Sequence, residues 1–252
     1  MTSFEGATCV VTGAASGIGA ATARLLAKAG ARVVIGDLAD ASGLAAELGG
    51  RFVRADVTDE SDVEALMTEA ARPTGRIDVL VNNAGVVTEA PIDQLTGPAF
   101  QLPMRVHALG VLHGVKHGAR RMPPGGAIVN TASLAGKTGM PGYGAYSASK
   151  AAVISLTRTA AIEYGPQGIR VNCVCPSSVD TPMLAAQESG AAERTLSRVA
   201  SPLGTVLSAE LVAEVIVFLA SSQAAALTGQ ALDVDGGVTA GYSVALLEAV
   251  VG

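Results

Sequence analysis

Residues 9–30 read CVVTGAASGIGAATARLLAKAG, and the reading of this stretch decides the fold. The apolar run Ala7–Val11 predicts a strand buried on both faces of a parallel sheet. Gly13, Gly17 and Gly19 then mark a tight turn, and Ile18, Ala21, Leu25 and Leu26 recur at helical spacing behind it. A strand, a glycine turn and a helix start form a cradle for a pyrophosphate. Glycine lets the backbone approach the ligand, and the helix N-terminus offers free N–H groups and partial positive charge. The spacing is TGxxxGIG rather than GxGxxG, and a lone match would fit an ordinary βα turn equally well. The next apolar run, ARVVIGD, ends on Asp37, about 20 residues past the turn. A carboxylate there is placed to accept from the hydroxyls of an adenosine ribose.

Outward from this unit, strand-like runs recur near 7–12, 32–36, 51–55, 77–81, 126–132, 169–175 and 231–234. Amphipathic helical stretches at 17–30, 59–72, 98–121, 143–164 and 208–221 separate them. The alternation predicts a single α/β domain over residues 1–252, a parallel sheet with right-handed crossovers and helices on both faces. Asn82-Asn83-Ala84-Gly85 ends the fourth strand, where ligands of such sheets bind; its amides can tie neighbouring loops together. Residues 176–205 are the least regular long segment, and read either as a loop over a ligand or as a surface helix pair.

Residues 133–150, SLAGKTGMPGYGAYSASK, carry candidate chemistry. Tyr146 and Lys150 are four apart and so share one helix face. An ammonium at that distance favours phenolate and predicts a tyrosine pKa below its ordinary value of about 10. Ser133, ahead of the helix, can hold a substrate oxygen beside the phenol. Surface helices also produce YxxxK by chance, so the motif gains weight only from the nucleotide cradle upstream.

Taken together, the chain resembles the short-chain dehydrogenase/reductase family over essentially its whole length. Seven motifs in order carry the resemblance: Thr12-Gly13-Ala14-Ala15-Ser16-Gly17-Ile18-Gly19, Asp56-Val57, Asn82-Asn83-Ala84-Gly85, Ser133, Tyr146-Ser147-Ala148-Ser149-Lys150, Pro176 through Thr181-Pro182-Met183, and Asp235-Gly236-Gly237. The resemblance implies a Rossmann fold, a doubly wound seven-stranded parallel sheet of order 3-2-1-4-5-6-7, and hydride transfer between a nicotinamide and a carbinol carbon. It implies Tyr146 as the proton donor or acceptor, Ser133 as the group orienting the oxygen, and Lys150 as the tyrosine's partner and a grip on the nicotinamide ribose. It places Gly13, Ser16, Gly17, Ile18 and Gly19 under the phosphates, Asp56 and Val57 by the adenine, and Asn83, Ala84 and Gly85 along the dinucleotide. In the segment 176–205, Pro176, Val179, Thr181 and Met183 are expected to bind the cofactor, Thr181 at the nicotinamide amide or the phosphates. Ser177 stands where the family usually has glycine. A carbonyl-reducing or alcohol-oxidising enzyme follows, with apolar Leu134, Ala135, Met140, Val179, Met183 and Leu184 expected around a small to medium secondary alcohol.

Cofactor choice turns on Asp37. A 2′-phosphate would bring roughly two negative charges against it, and the neighbouring positions that could compensate hold the neutral Ser16 and Leu38. NAD is the expected cofactor. One family position departs: where the helix before the fifth strand usually reads VNLxG, this chain reads Val106-His107-Ala108-Leu109-Gly110. His107 is therefore expected either as a proton relay to Lys150, its pKa suiting neutral pH, or as a structural substitution. Pro103 just upstream predicts a kink or restart of that helix.

At 252 residues with 49% hydrophobic and 15% charged residues, the chain can bury a large core and leave apolar surface for self-association. A homotetramer or dimer is expected, since the helices near 98–121 and 143–164 and the tail TAGYSVALLEAVVG need cover. A net charge of −5 without a basic patch speaks against nucleic acid. No apolar run reaches the roughly 18 residues of a membrane span. MTSFEGATCVVTG lacks a charged leader, so the cytoplasm is expected. Cys9, Cys173 and Cys175 read as small buried hydrophobes, and the pair His113 and His117 as packing. A dehydrogenase aromatising a cyclic dihydrodiol, or a nucleotide-binding protein weakened at His107, are the alternative readings.

Overall fold

The structure is a computed structural model and describes residues 3–251; Met1, Thr2 and Gly252, the last at the end of the expected tail, lie outside the described residues. Strands β1 (Thr8–Thr12), β2 (Arg32–Asp37), β3 (Arg51–Arg54), β4 (Val79–Asn82), β5 (Ala127–Thr131), β6 (Arg170–Pro176) and β7 (Ala231–Val234) form one seven-stranded sheet. Every pairing is parallel, as the βα alternation predicts, and the order is 3-2-1-4-5-6-7, as the family resemblance implies. Successive residues point to opposite faces. Val10, Leu80, Ile128 and Cys173 join the core beneath helices α3 (Glu60–Ala71), α5 (Gly110–Ala119) and α6 (Gly144–Tyr164). Cys9, Val11, Val81 and Val129 join the opposite core, beneath α1 (Gly17–Lys28), α2 (Ser42–Glu47) and α9 (Ala209–Ala220). All three cysteines are fully buried in these layers.

Two expected segments divide more finely than their periodicity indicates. The helix expected over 98–121 is three segments: α4 (Gly97–Pro103), a π-helical stretch (Met104–Leu109), and α5. Pro103 offers no N–H and its ring crowds the carbonyl a turn behind, so the α ladder loosens where the proline sits. The π stretch that follows rotates His107 inward, leaving it 1% exposed. Gly114 of α5 then lies directly over Asn82, where a Cβ would come within 2.1 Å of the amide oxygen. The second is 176–205, which combines its two expected readings, a helix pair that also lines a cavity. It contains a two-residue parallel ladder (Val179–Asp180 with Leu207–Ser208) and helices α7 (Pro182–Ala185) and α8 (Gly190–Ala200). Thr181 caps α7 by accepting from Leu184 N–H, and α8 is amphipathic, so both form as short helices. The apolar tail forms α10 (Val244–Val251), with Val244 and Leu247 exposed.

Candidate active site

A cavity of about 580 Å³ lies beyond the carboxyl ends of β1, β2, β4, β5 and β6. The sequence-expected residues Gly13, Ser16, Gly17, Ile18, Asp37 and Leu38 form its wall at one end. Asp56, Val57, Asn83, Ala84 and Gly85 continue it. Ser133, Tyr146, Lys150 and His107 meet Pro176, Val179, Thr181 and Met183 at the other. Gly19 alone of the expected set is absent from the wall. It packs beneath the turn, where a Cβ would meet the Gly13 carbonyl at 2.3 Å.

The glycine end is held by few bonds. Gly13 sits at φ +64° with Ala84 so close that a Cβ would reach its Cα at 2.5 Å. Asn83 donates its side-chain amide to the carbonyls of Thr12 (3.1 Å) and Gly13 (2.9 Å), tying β4 to the turn. Thr131 Oγ1 donates to Asn83 Oδ1 at 3.3 Å, adding β5 to the same knot. Ser16, at the N-cap of α1, makes no side-chain capping bond, so the first-turn amides of α1 stay directed to the cavity. The Asp37 carboxylate accepts from the N–H groups of Ala15 (2.8 Å) and Ala39 (2.9 Å), each of its oxygens keeping a further lone pair. Asp56 accepts from Thr58 N–H at 2.8 Å, a local turn, while Asp59 is the N-cap of α3. These residues fit a dinucleotide: an uncapped helix start for the phosphates and a carboxylate at the ribose position.

At the other end, Lys150 is buried and its Nζ donates to the Thr131 carbonyl at 2.8 Å, 5.6 Å from the centre of the Tyr146 ring. Burial lowers the lysine to about 8. Burial raises the Tyr146 phenol to about 12, against a lowering by the nearby Ser133 hydroxyl. The expected depression of the phenol is therefore absent. At this buried position the cost of desolvating phenolate outweighs the Ser133 hydrogen bond, and the Lys150 ammonium is turned toward a carbonyl. The phenol thus stands as a proton donor at neutral pH.

His107 is fully engaged. Val86 N–H donates to its Nε2 at 3.0 Å, which puts the imidazole proton on Nδ1. Nδ1 then donates to Ser149 Oγ at 2.8 Å, and Ser149 Oγ donates to the Tyr146 carbonyl at 2.6 Å. The ring meets the Tyr146 ring edge-on, centroids 5.4 Å apart. Burial, with Lys150 adding to it, holds its pKa well below 6.5. With both nitrogens committed and no bond to Lys150, the geometry favours positioning over the expected relay. Removing the ring in His107→Ala strands one buried amide and one hydroxyl. Turnover is expected to fall by about ten- to a hundredfold, with His107→Asn recovering part of it. The wild-type rate should show no histidine limb between pH 6 and 7; such a limb in a kcat–pH profile would restore the relay.

Sequence reasoning missed Tyr143, Glu193 and Gln187, which also line the cavity. Tyr143 had a signal, since it precedes Tyr146 by three and shares its face. Glu193 had none, because α8 reaches the cavity only through the chain's return from β6. Elsewhere His113 Nδ1 lies 3.0 Å from the Val57 carbonyl and His117 Nε2 lies 2.9 Å from Glu60 Oε1, packing α5 on α3.

The family model described as enoyl-(acyl carrier protein) reductase matches residues 13–239. The chain is 46% identical to the cis-4-hydroxycyclohexanecarboxylate dehydrogenase of Sinomonas cyclohexanicum, over 94% of this chain and 98% of that protein. It is 41% identical to the mitochondrial borneol dehydrogenase of Lavandula x intermedia, over 94% of this chain and 92% of that one. Among solved structures, a dehydrogenase/reductase from Sinorhizobium meliloti 1021 superposes with a TM-score of 0.87 at 34% identity, covering 94% of this chain and 96% of that one.

Proposed function

The chain belongs to the short-chain dehydrogenase/reductase family, and from that premise we propose that it is an NAD-dependent dehydrogenase of ring-borne secondary alcohols, assembled as a homotetramer in the cytoplasm. It is an oxidoreductase acting on the CH–OH group of secondary alcohols by hydride transfer through a nicotinamide dinucleotide. The finer reading treats residues 1–252 as one domain with 176–205 as its substrate segment. What carries it is the meeting of Ser133, Tyr146 and Lys150 with the α1 cradle and Asp37 in one cavity. Relatives named for hydroxycyclohexanecarboxylate and borneol support a cyclic substrate, and Leu134, Ala135, Met140, Val179, Met183 and Leu184 line the cavity here.

When bound, NAD supplies the ring that accepts hydride. In the proposed mechanism, Tyr146 exchanges a proton with the substrate oxygen as the carbinol C–H bond breaks or forms. Ser133, its hydroxyl accepting from Ala135 N–H at 3.1 Å, keeps its proton free to donate to that oxygen. Lys150, its Nζ on the Thr131 carbonyl and beside the Tyr146 ring, would grip the nicotinamide ribose. His107 fixes the Tyr146 backbone and the loop after Gly85 against each other. Asp37 supports NAD over NADP by repulsion of a 2′-phosphate.

Phe100, Leu102 and Leu112 on the segment 97–119 and Ile162 on α6, the last 78% exposed, support the tetramer; a monomer by light scattering at micromolar concentration would count against it. The function is tested by NADH formation across cyclic secondary alcohols, cyclic dihydrodiols and acyclic alcohols. Cyclic alcohols should turn over fastest. Release of a catechol from dihydrodiols at the highest kcat/KM would favour the aromatising alternative, and no NADH from any would refute the reading.

A further inference from the structure

Hydride chemistry leaves one part of the cavity without a task. Tyr143 stands beside Tyr146 on α6, ring centroids 6.1 Å apart at 72°. Its buried hydroxyl lies 2.9 Å from Gln187 Oε1, 2.9 Å from Ser189 Oγ and 3.2 Å from Glu89 Oε1, and it also bonds Glu193 Oε1. Ser178 donates to Glu193 Oε2 at 3.2 Å, and Ser189 Oγ lies 3.1 Å from Glu89 and 3.3 Å from Glu193. The phenol and each serine have one hydrogen apiece and the Gln187 amide two, whereas two carboxylates offer about eight lone pairs. Acceptors outnumber donors.

Nothing cationic balances them. Among the described residues lining the cavity, Lys150 is the only Lys or Arg, and its ammonium is bonded to the Thr131 carbonyl. Arg194, next to Glu193 in sequence, pairs instead with Asp180 at 2.7 Å. The cavity therefore runs from the Ser133–Tyr146 hydroxyls, through apolar walls, to an end that can accept hydrogen bonds but repels negative charge.

We propose that this end, centred on Glu193 and Tyr143, selects ring alcohols bearing a second hydroxyl remote from the reacting carbon and turns away rings bearing a carboxylate there. The inference rests on the dehydrogenase reading above and names its substrate class. A remote hydroxyl donates to Glu193 and satisfies a lone pair that the protein leaves over. A carboxylate in the same place meets Glu193 with no counter-ion in reach, and like charges so juxtaposed are strongly disfavoured. A ring with no second substituent gains nothing from either.

The test compares NADH formation from cyclohexanol, cyclohexane-1,4-diol and 4-hydroxycyclohexanecarboxylate by wild type, Glu193→Gln and Tyr143→Phe. In wild type, kcat/KM for the diol should exceed that for cyclohexanol by about tenfold, and that for the carboxylate should fall below it by about tenfold, the selectivity of one well-placed polar contact. Glu193→Gln removes the charge and should raise the carboxylate relative to cyclohexanol by about tenfold. Tyr143→Phe, which frees Glu193 of its phenol, should widen the diol preference and keeps the question open if Glu193→Gln misfolds. Equal kcat/KM for all three compounds in wild type, or selectivity unmoved by both substitutions, overturns the inference while the dehydrogenase reading stands. Absence of NADH from every compound refutes that reading instead. The inference is then decided by the affinities of the three compounds for the NADH-bound protein, equal affinities overturning it.

Discussion

Tyr146→Phe is expected to lower turnover by about a thousandfold while NADH affinity stays within about twofold, because general acid–base catalysis contributes about a hundred- to ten-thousandfold. The substitution removes one hydroxyl and keeps the ring that packs edge-on against His107 and Tyr143. Folding and the dinucleotide wall are left in place. The phenol's pKa of about 12 means that it enters reduction protonated, and a buried Phe has no proton to give. Lys150→Ala should differ in kind, losing both rate and cofactor affinity, since Lys150 lines the cavity as well as facing the Tyr146 ring. Stopped-flow turnover beside fluorescence titration with NADH separates the two. Retention of more than a tenth of wild-type rate by Tyr146→Phe would end the proposed mechanism.

Exchange of the cofactor should follow from two residues. Wild type is expected to bind NADH at least about tenfold more tightly than NADPH, or about 1.4 kcal/mol. Asp37→Ser combined with Leu38→Arg should erase or invert that preference. The first change removes the carboxylate that a 2′-phosphate would meet, and the second places a guanidinium on a residue 52% exposed, free to reach the phosphate. Asp37 also holds Ala15 and Ala39 through their amides, so serine, which can still accept, is preferred to alanine. Paired titrations of both proteins with both cofactors read the result, and equal wild-type affinities would dismiss the charge argument.

The alternation of apolar strands and amphipathic helices was enough to derive a parallel sheet with a core on each face, because these are matters of period and of right-handed crossovers; the strand order came with the family resemblance. The glycine turn, Asp37, the Asn82–Gly85 strand end and the Tyr146–Lys150 pair were also legible. All are local: a turn, a strand end or one helical turn brings their parts together within a few residues. The sequence likewise marked Pro103 and His107 as departures.

What those departures do was decided only by tertiary structure. The π stretch after Pro103 turns His107 into the core, where Val86 and Ser149, 21 and 42 residues away in sequence, take both its nitrogens. The phenol's pKa was likewise misjudged from the i, i+4 spacing alone. Burial opposes charge on both Tyr146 and Lys150, and the ammonium is claimed by a carbonyl on β5. The acceptor-rich end of the cavity was invisible for the same reason. Glu89, Tyr143 and Glu193 belong to three separate segments, with up to 104 positions between the first and last (193 − 89), and no local pattern marks their meeting. Periodicity specifies which face of an element is buried; which distant side chains share that burial, and hence their charge and tautomer, is specified only once the elements have packed.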